Sequence, residues 1–295
     1  MPAVFSPIAV NSRAKLPATL KAFSVLHALD FKTLLSVNPK TEKSEEHTRI
    51  LHLAPADSSG FNVCSGAGNC KKICLHFSGN KAYMAAKQSA RYRKTIAFFN
   101  NKQLFLELVV TSLLYSKFKI NWEFLAARLN GTSDIPWETI KFTVTPEMSQ
   151  FWRIKFGVYI VPTEYQSIVH MFAHYPELGI KFYDYTKIRR NWAECKAIGY
   201  HLTVSYDGAD NIGNHKIVRD ALSNGINIAA AFNIKRGHDL PKSWMFQSTV
   251  RAVIDGDLSD YRPGDKPGGH IVGLRFKLPH GIDWTESERD SFCLG

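Results

Sequence analysis

Cys64, Cys70 and Cys74 fall within eleven residues, with the spacing C-x5-C-x3-C, in a segment made largely of Gly, Ser, Asn, Ala and Lys. Thiolates are soft ligands, and a short loop carrying several of them can surround one metal ion or hold the corners of an iron–sulfur cubane. A free cysteine often acts as a small buried hydrophobe, but this polar loop has little core to enter. Structural zinc would need a fourth ligand, for which His76 and His52 are available, yet the short cysteine pairing usual in such sites is absent. The expected cofactor is therefore an iron–sulfur cluster of the 4Fe-4S type. That leaves one iron for Cys195, Cys293, a histidine or an external ligand. Gly66 and Gly68 let the loop backbone fold tightly.

The surroundings of the loop are cationic. No acid occurs between Asp57 and Glu107, while Lys71, Lys72, Lys81, Lys87, Arg91, Arg93, Lys94 and Lys102 are all basic. Cations of this kind stabilise an anionic cluster, and the same charges could take a phosphate or carboxylate. Further along, Arg128, Asn130, Ser133 and Asp134 end one strand-like run, and Asp184 and Lys187 end the next. Arg128, Asn130, Asp134, Asp184 and Lys187 are the residues expected to line a small-ligand site. Asn130-Gly131 is equally an ordinary turn signal, and Asp184 with Lys187 could simply be an ion pair. Ser205, Asp207, Asp255 and Asp257 also follow strand-like runs; the acids among them could bind a cation or an amino group, although Asp255-Gly256 suits a tight turn. There is no nucleophile elbow, phosphate-binding loop or HExxH segment, and no catalytic residue is assigned.

These residues need elements to hold them. Strand-like runs occupy 48–54, 122–129, 180–185, 200–205, 226–232, 250–254 and 272–276. Helical patterns fit 81–98, 102–118, 165–174, 190–198 and 215–223, the last closing at Gly225. Strands alternating with helices predict an α/β fold with a mostly parallel sheet, as a complete or partial β/α barrel. The cysteine loop would follow the first strand, at the end where such folds gather reactive groups.

With 295 residues and 45% hydrophobic content, the chain can bury a large core without disulfides. We expect a basic N-terminal arm and lead-in over 1–47, then a single domain over 48–295. The first 29 residues carry Arg13, Lys15 and Lys21 but no acid, and Pro2, Pro7 and Pro17 oppose the amphipathic helix of a transit peptide. No apolar run is long enough for a membrane span, so no membrane partner is expected. The odd cysteine count suits a reducing compartment. A net charge of +11 favours anionic partners, nucleic acid among them.

The cysteine loop followed by Ser89-Ala-Arg-Tyr-Arg93, the run Ala127-Arg-Leu-Asn-Gly-Thr-Ser-Asp134, the run Phe182-Tyr-Asp-Tyr-Thr-Lys187, and Val253-Ile-Asp-Gly-Asp257 with Val272-Gly-Leu274 resemble the bacteriophage family named for gene product 88. The loop is also distantly similar to the cluster loop of radical S-adenosylmethionine enzymes, whose usual spacing is C-x3-C-x2-C. These resemblances imply action in the host cytoplasm during infection, with S-adenosylmethionine as an implied ligand and a small molecule or redox partner near the cluster. One alternative is a nucleic-acid-binding protein that uses the basic helices with Tyr83, Tyr92 and Phe98 and keeps its metal for structure. Another is a virion or assembly component stapled by the cluster.

Overall fold

Branched and aromatic residues dominate most strand-forming runs, and five of the helices begin at side-chain caps. The computed structural model describes residues 10–11, 13–37, 47–72, 74, 84–119, 124–235, 237–246, 248–278 and 283–294. Helix α1 (Ala18–Leu26) and the short strand β1 (Ser36–Val37) precede β2 (Thr48–Ile50), from which the chain enters the cysteine loop. Two long helices follow, α2 (Met84–Asn100) and α3 (Lys102–Lys119). Phe105, Leu106, Leu108, Val109, Val110, Leu113 and Leu114 in α3 are all shut off from solvent, as a helix apolar on nearly every side must be.

Then come β3 (Leu125–Arg128), β4 (Phe142–Thr143), α4 (Pro146–Phe156), β5 (Glu164–Tyr165), α5 (Ile168–Ala173), β6 (Ile180–Thr186), α6 (Trp192–Ala197) and β7 (Tyr200–Ser205). The chain closes with α7 (Ile212–Ser223), β8 (Ile228–Phe232), β9 (Ser243–Phe246), β10 (Thr249–Asp255), β11 (Ile271–Arg275) and α8 (Glu286–Phe292). Thr145, Ser167, Asn191, Asn211 and Thr285 cap α4 to α8 by accepting first-turn amides.

The main sheet has the order β1-β2-β3-β6-β7-β8-β11-β10-β9. Every pairing from β2 to β10 is parallel, and only the edge strands β1 and β9 run antiparallel to their neighbours. No pairing joins those two edges among the described residues. Helices α3, α6 and α7 pack on one face, where Leu125, Ala127, Phe182, Tyr200, Leu202, Val204, Ile228 and Ala230 enter one continuous core. Period-two alternation sends the intervening residues to the other face. That face is partly covered by Tyr261 and by the turn Arg262–Gly264, which lies against β6 and β7.

The expected α/β character and mostly parallel sheet are present, and each expected strand matches an observed one within a few residues. Gly225, with φ of 69°, follows the α7 cap Asn224 in the left-handed region. Several elements were not anticipated: α1, α4, α8, the edge strands β1 and β9, and the antiparallel pair β4–β5 that flanks α4. Pro17 stands at the N-cap of α1 and starts the helix rather than opposing it. Leu20, Phe23, Leu29, Phe31, Leu34 and Leu35, from the stretch read as an arm, share the core of the other elements. The expected charged loop over 41–46, the helix start at 81–83, the strand start at 122–123, Pro2 and Pro7 lie outside the described residues.

Candidate functional site

The chain leaves β2 and turns at Pro55–Gly60 before reaching the cysteines. Tyr92 on α2 donates to the Ser58 carbonyl at 2.6 Å, and Phe61 stacks on Phe99 with ring centroids 4.2 Å apart. The loop then crosses the carboxyl ends of the central strands. Beyond β3, the Asp134 amide donates to Val63 O at 2.8 Å, and Cys64 Sγ lies 3.7 Å from the Thr132 carbonyl. Beyond β6, Gly66 is pressed so close that a Cβ there would lie 2.8 Å from Ile188 Cγ2 and 3.0 Å from Lys187 O.

Asp207, just past β7, makes the firmest attachment. Its carboxylate accepts from the Asn69 and Cys70 amides, each at 3.1 Å, and from Asn211 Nδ2 at 2.8 Å, while its carbonyl accepts from Asn69 Nδ2. A Cβ on Gly68 would collide with that carboxylate and lie 2.7 Å from Asn211 Nδ2. Close approach, not an unusual backbone angle, is what demands glycine at 66 and 68; neither is among the positive-φ glycines.

Cys64, Cys70 and Cys74 are half-buried, whereas Cys195 and Cys293 are buried. Cys195 sits in the main core on α6. Cys293 belongs to a small apolar cluster with Trp284 and Phe292, and Cys70 packs against that cluster. Burial pushes the Cys64 thiol up to about 12, with Asp134, Cys74 and Cys70 adding to the rise. It pushes Cys70 up to about 11, against the pull of Lys187. The cysteines thus share one electrostatic neighbourhood, with the Lys187 ammonium facing it. Among the described residues, no three His, Cys, Asp or Glu side chains are drawn together around a point that would hold a metal ion. His76 lies outside the described residues.

The other expected site residues divide into two groups. Asn130, Asp134 and Asp184 are tied up internally. Asn130 Oδ1 accepts from Ser133 Oγ, the Ile135 amide and Trp137 Nε1. Asp134 accepts from the Lys187 amide at 2.7 Å and from Arg190 at 2.9 Å; Arg190 also pairs with Glu138, and the whole group is buried. Asp184 accepts from the Leu129 and Asn130 amides and from the Tyr200 hydroxyl. Burial pushes its carboxyl up to about 7 in spite of these bonds. Asp255 and Asp257 clasp Arg275, tying β10 to β11. Lys187 and Arg128, by contrast, make few bonds through their side chains. Lys187 Nζ lies 3.8 Å from Asp207 Oδ1, and the Arg128 guanidinium lies 4.7 Å from the centroid of the Tyr185 ring.

Arg128 belongs to the second face of the sheet, which is polar. Register sets Ile50 beside Arg128, Tyr183 beside His201 and Tyr185 beside Thr203. Arg262 approaches from the covering turn, only 1% exposed, donating to Gly256 O and meeting Asp265 at 3.1 Å. His52 Nδ1, Arg128 Nε, His201 Nε2, Thr203 Oγ1 and Arg262 Nε are buried without a hydrogen-bond partner among the described residues. Burial, with the neighbouring cations behind it, lowers His52 to about 3; burial and Arg262 lower His201 to about 4. Arg262, His201 and Thr203 carry no site expectation from sequence, and Asp207, expected as a possible ligand for a cation or an amino group, instead holds loop amides. The alternation His201, Thr203, Ser205 within β7 was the available signal that its second face is polar.

The basic helix α2 is less open than its sequence implies. Lys94 is buried and donates to Leu34 O at 2.5 Å, and Phe98 lies in the core. Tyr92 is 38% exposed, and Tyr83 lies outside the described residues. Beside the cysteine loop, a groove of about 630 Å³ runs past Asn62, Ser65, Phe99, Lys102 and Lys141.

The fold defines a mixed α/β protein with a large, mostly parallel sheet. Over residues 31–293 the chain matches the model of gene product 88, and it belongs to that phage family. No curated protein and no solved structure matches it. Among the described residues, no helix is long and apolar enough to cross a membrane.

Proposed function

We propose that this protein binds an iron–sulfur cluster through Cys64, Cys70 and Cys74 and takes up a small ligand beside it. The observation that carries this reading is the anchoring of the cysteine loop: Asp207 holds two consecutive loop amides, and Gly66 and Gly68 let this polar segment lie close against the residues that follow β6 and β7. The adjacent Lys187 offsets negative charge on the thiolates. Three protein thiolates would leave one iron of a 4Fe-4S cluster able to bind a ligand directly. The near-sequential parallel strand order supports a partial β/α barrel, and the loop after the first parallel strand is the feature in common with radical S-adenosylmethionine enzymes. S-adenosylmethionine is therefore the first small ligand to try.

Anaerobic purification followed by a visible spectrum and assays of iron, sulfide and zinc tests the reading, with Cys64, Cys70 and Cys74 each changed to Ala. Broad visible absorption with iron and sulfide together, lost in each variant, is the expected result. Zinc without sulfide would make the loop a structural clip and sink the proposal.

A further inference from the structure

Nearly all buried polar groups in folded proteins have partners, and each one left without costs roughly 1–3 kcal/mol. His52, Arg128, His201, Thr203 and Arg262 all contribute such atoms, and they gather on the polar sheet face and its cover. Among the remaining atoms without a hydrogen bond, Asp265 Oδ2 lies 3.1 Å from Arg262 Nη1, whereas Arg251 Nε, Trp284 Nε1 and Arg289 Nε belong to β10 and the C-terminal segment. Thr203 is fully buried and Arg262 nearly so, so bulk water does not serve them. The grouped atoms are mainly donors, or imidazole nitrogens that can become donors by tautomer choice.

We propose that this face is a binding site for an oxyanion, a carboxylate or phosphoryl group of a small molecule, recognised by Arg128, Arg262, Thr203 and His201. The Arg128 guanidinium lies 4.7 Å from the centroid of the Tyr185 ring, Tyr185 stands beside Thr203, and the turn that carries Arg262 packs on β6 and β7, the strands of those two residues. The same positive potential helps keep His201 and His52 neutral, and it draws an anion. Asp265 offsets part of the Arg262 charge, while Arg128 forms no salt bridge among the described residues. Planar guanidinium groups suit the two oxygens of a carboxylate or phosphoryl group. None of these side chains is a thiol of the cysteine loop, so the site does not depend on the cluster.

The test follows thermal unfolding of the full chain during titration with inorganic phosphate and, separately, acetate, against chloride at matched ionic strength, with iron measured in every sample. A saturable rise in Tm with at least one anion is expected, whatever the iron content, and the anion that acts identifies the class. Arg128→Gln and Thr203→Val should each weaken the effect, Arg128→Gln by at least about tenfold. Arg262→Gln should do the same, but it also loses contacts to Gly256 and Asp265, so the first two variants carry the test if it fails to fold. No saturable shift beyond chloride, or a shift unchanged in Arg128→Gln and Thr203→Val, would overturn the proposal and leave the face filled by water alone.

Discussion

At the scale of single residues, Asp207 matters more to the cysteine loop than any residue inside it other than the cysteines. It is fully buried, and it holds two consecutive loop amides. Asp207→Ala would strand those donors at about 1–3 kcal/mol each. The variant should therefore unfold at lower temperature and be purified with less iron, although every cysteine remains. Asp210→Ala, at an exposed neighbour, should change neither quantity. Gly68→Ala should act like Asp207→Ala, because its new methyl would displace the same carboxylate. Equal iron and equal Tm in Asp207→Ala and the parent would show that the loop is held by something else. The cysteine spacing made the metal-binding potential of this loop legible from sequence. The anchor was not legible, because Asp207 stands 137 positions from Cys70 and only the folded sheet brings them together.

At the scale of elements, Asp184 is the joint between strands: it sits on β6, receives the Tyr200 hydroxyl from β7, and holds the amides that end β3. Its carboxyl is raised from 3.8 to about 7, so between those values the folded protein keeps a proton that the unfolded chain has released. Stability from this group is thus highest at low pH, falls as pH rises through that window, and levels off above it, with a slope of at most about 1.4 kcal/mol per pH unit. Urea midpoints of the parent and Asp184→Asn, measured at several pH values, should diverge in shape over that window. A pH-independent difference between them would refute the assignment. The strands themselves were readable from their β-branched and aromatic runs, and β7 falls where the sequence put it. Helices α4 and α8 were overlooked although their start signals are explicit: Thr145-Pro146 for the first, and Thr285 with Glu288 in a capping box for the second. Both are short and rich in polar or aromatic residues, so hydrophobic periodicity is weak in them.

At the scale of the whole molecule, the core decides what counts as one unit. A single apolar cluster runs from Leu20 on α1 through α3 and the sheet to Leu294, so the stretch from Leu20 to Leu35 shares the core of the sheet. Basic charge and repeated prolines gave that segment the look of an arm, but burial follows Leu20, Phe23, Phe31, Leu34 and Leu35. Continuity of the core predicts one cooperative unfolding transition, with tryptophan fluorescence and far-ultraviolet circular dichroism following the same curve. Trp137 and Trp152 report from the centre of that core, far along the chain from Leu34. Leu34→Ala, which removes a side chain 1% exposed, should cost about 2–5 kcal/mol and move both curves together. Val110→Ala in α3 is the internal comparison, also moving both probes in concert. If Leu34→Ala left the fluorescence curve in place, or split the transition in two, the N-terminal segment would be a separable unit and the core would end at β2.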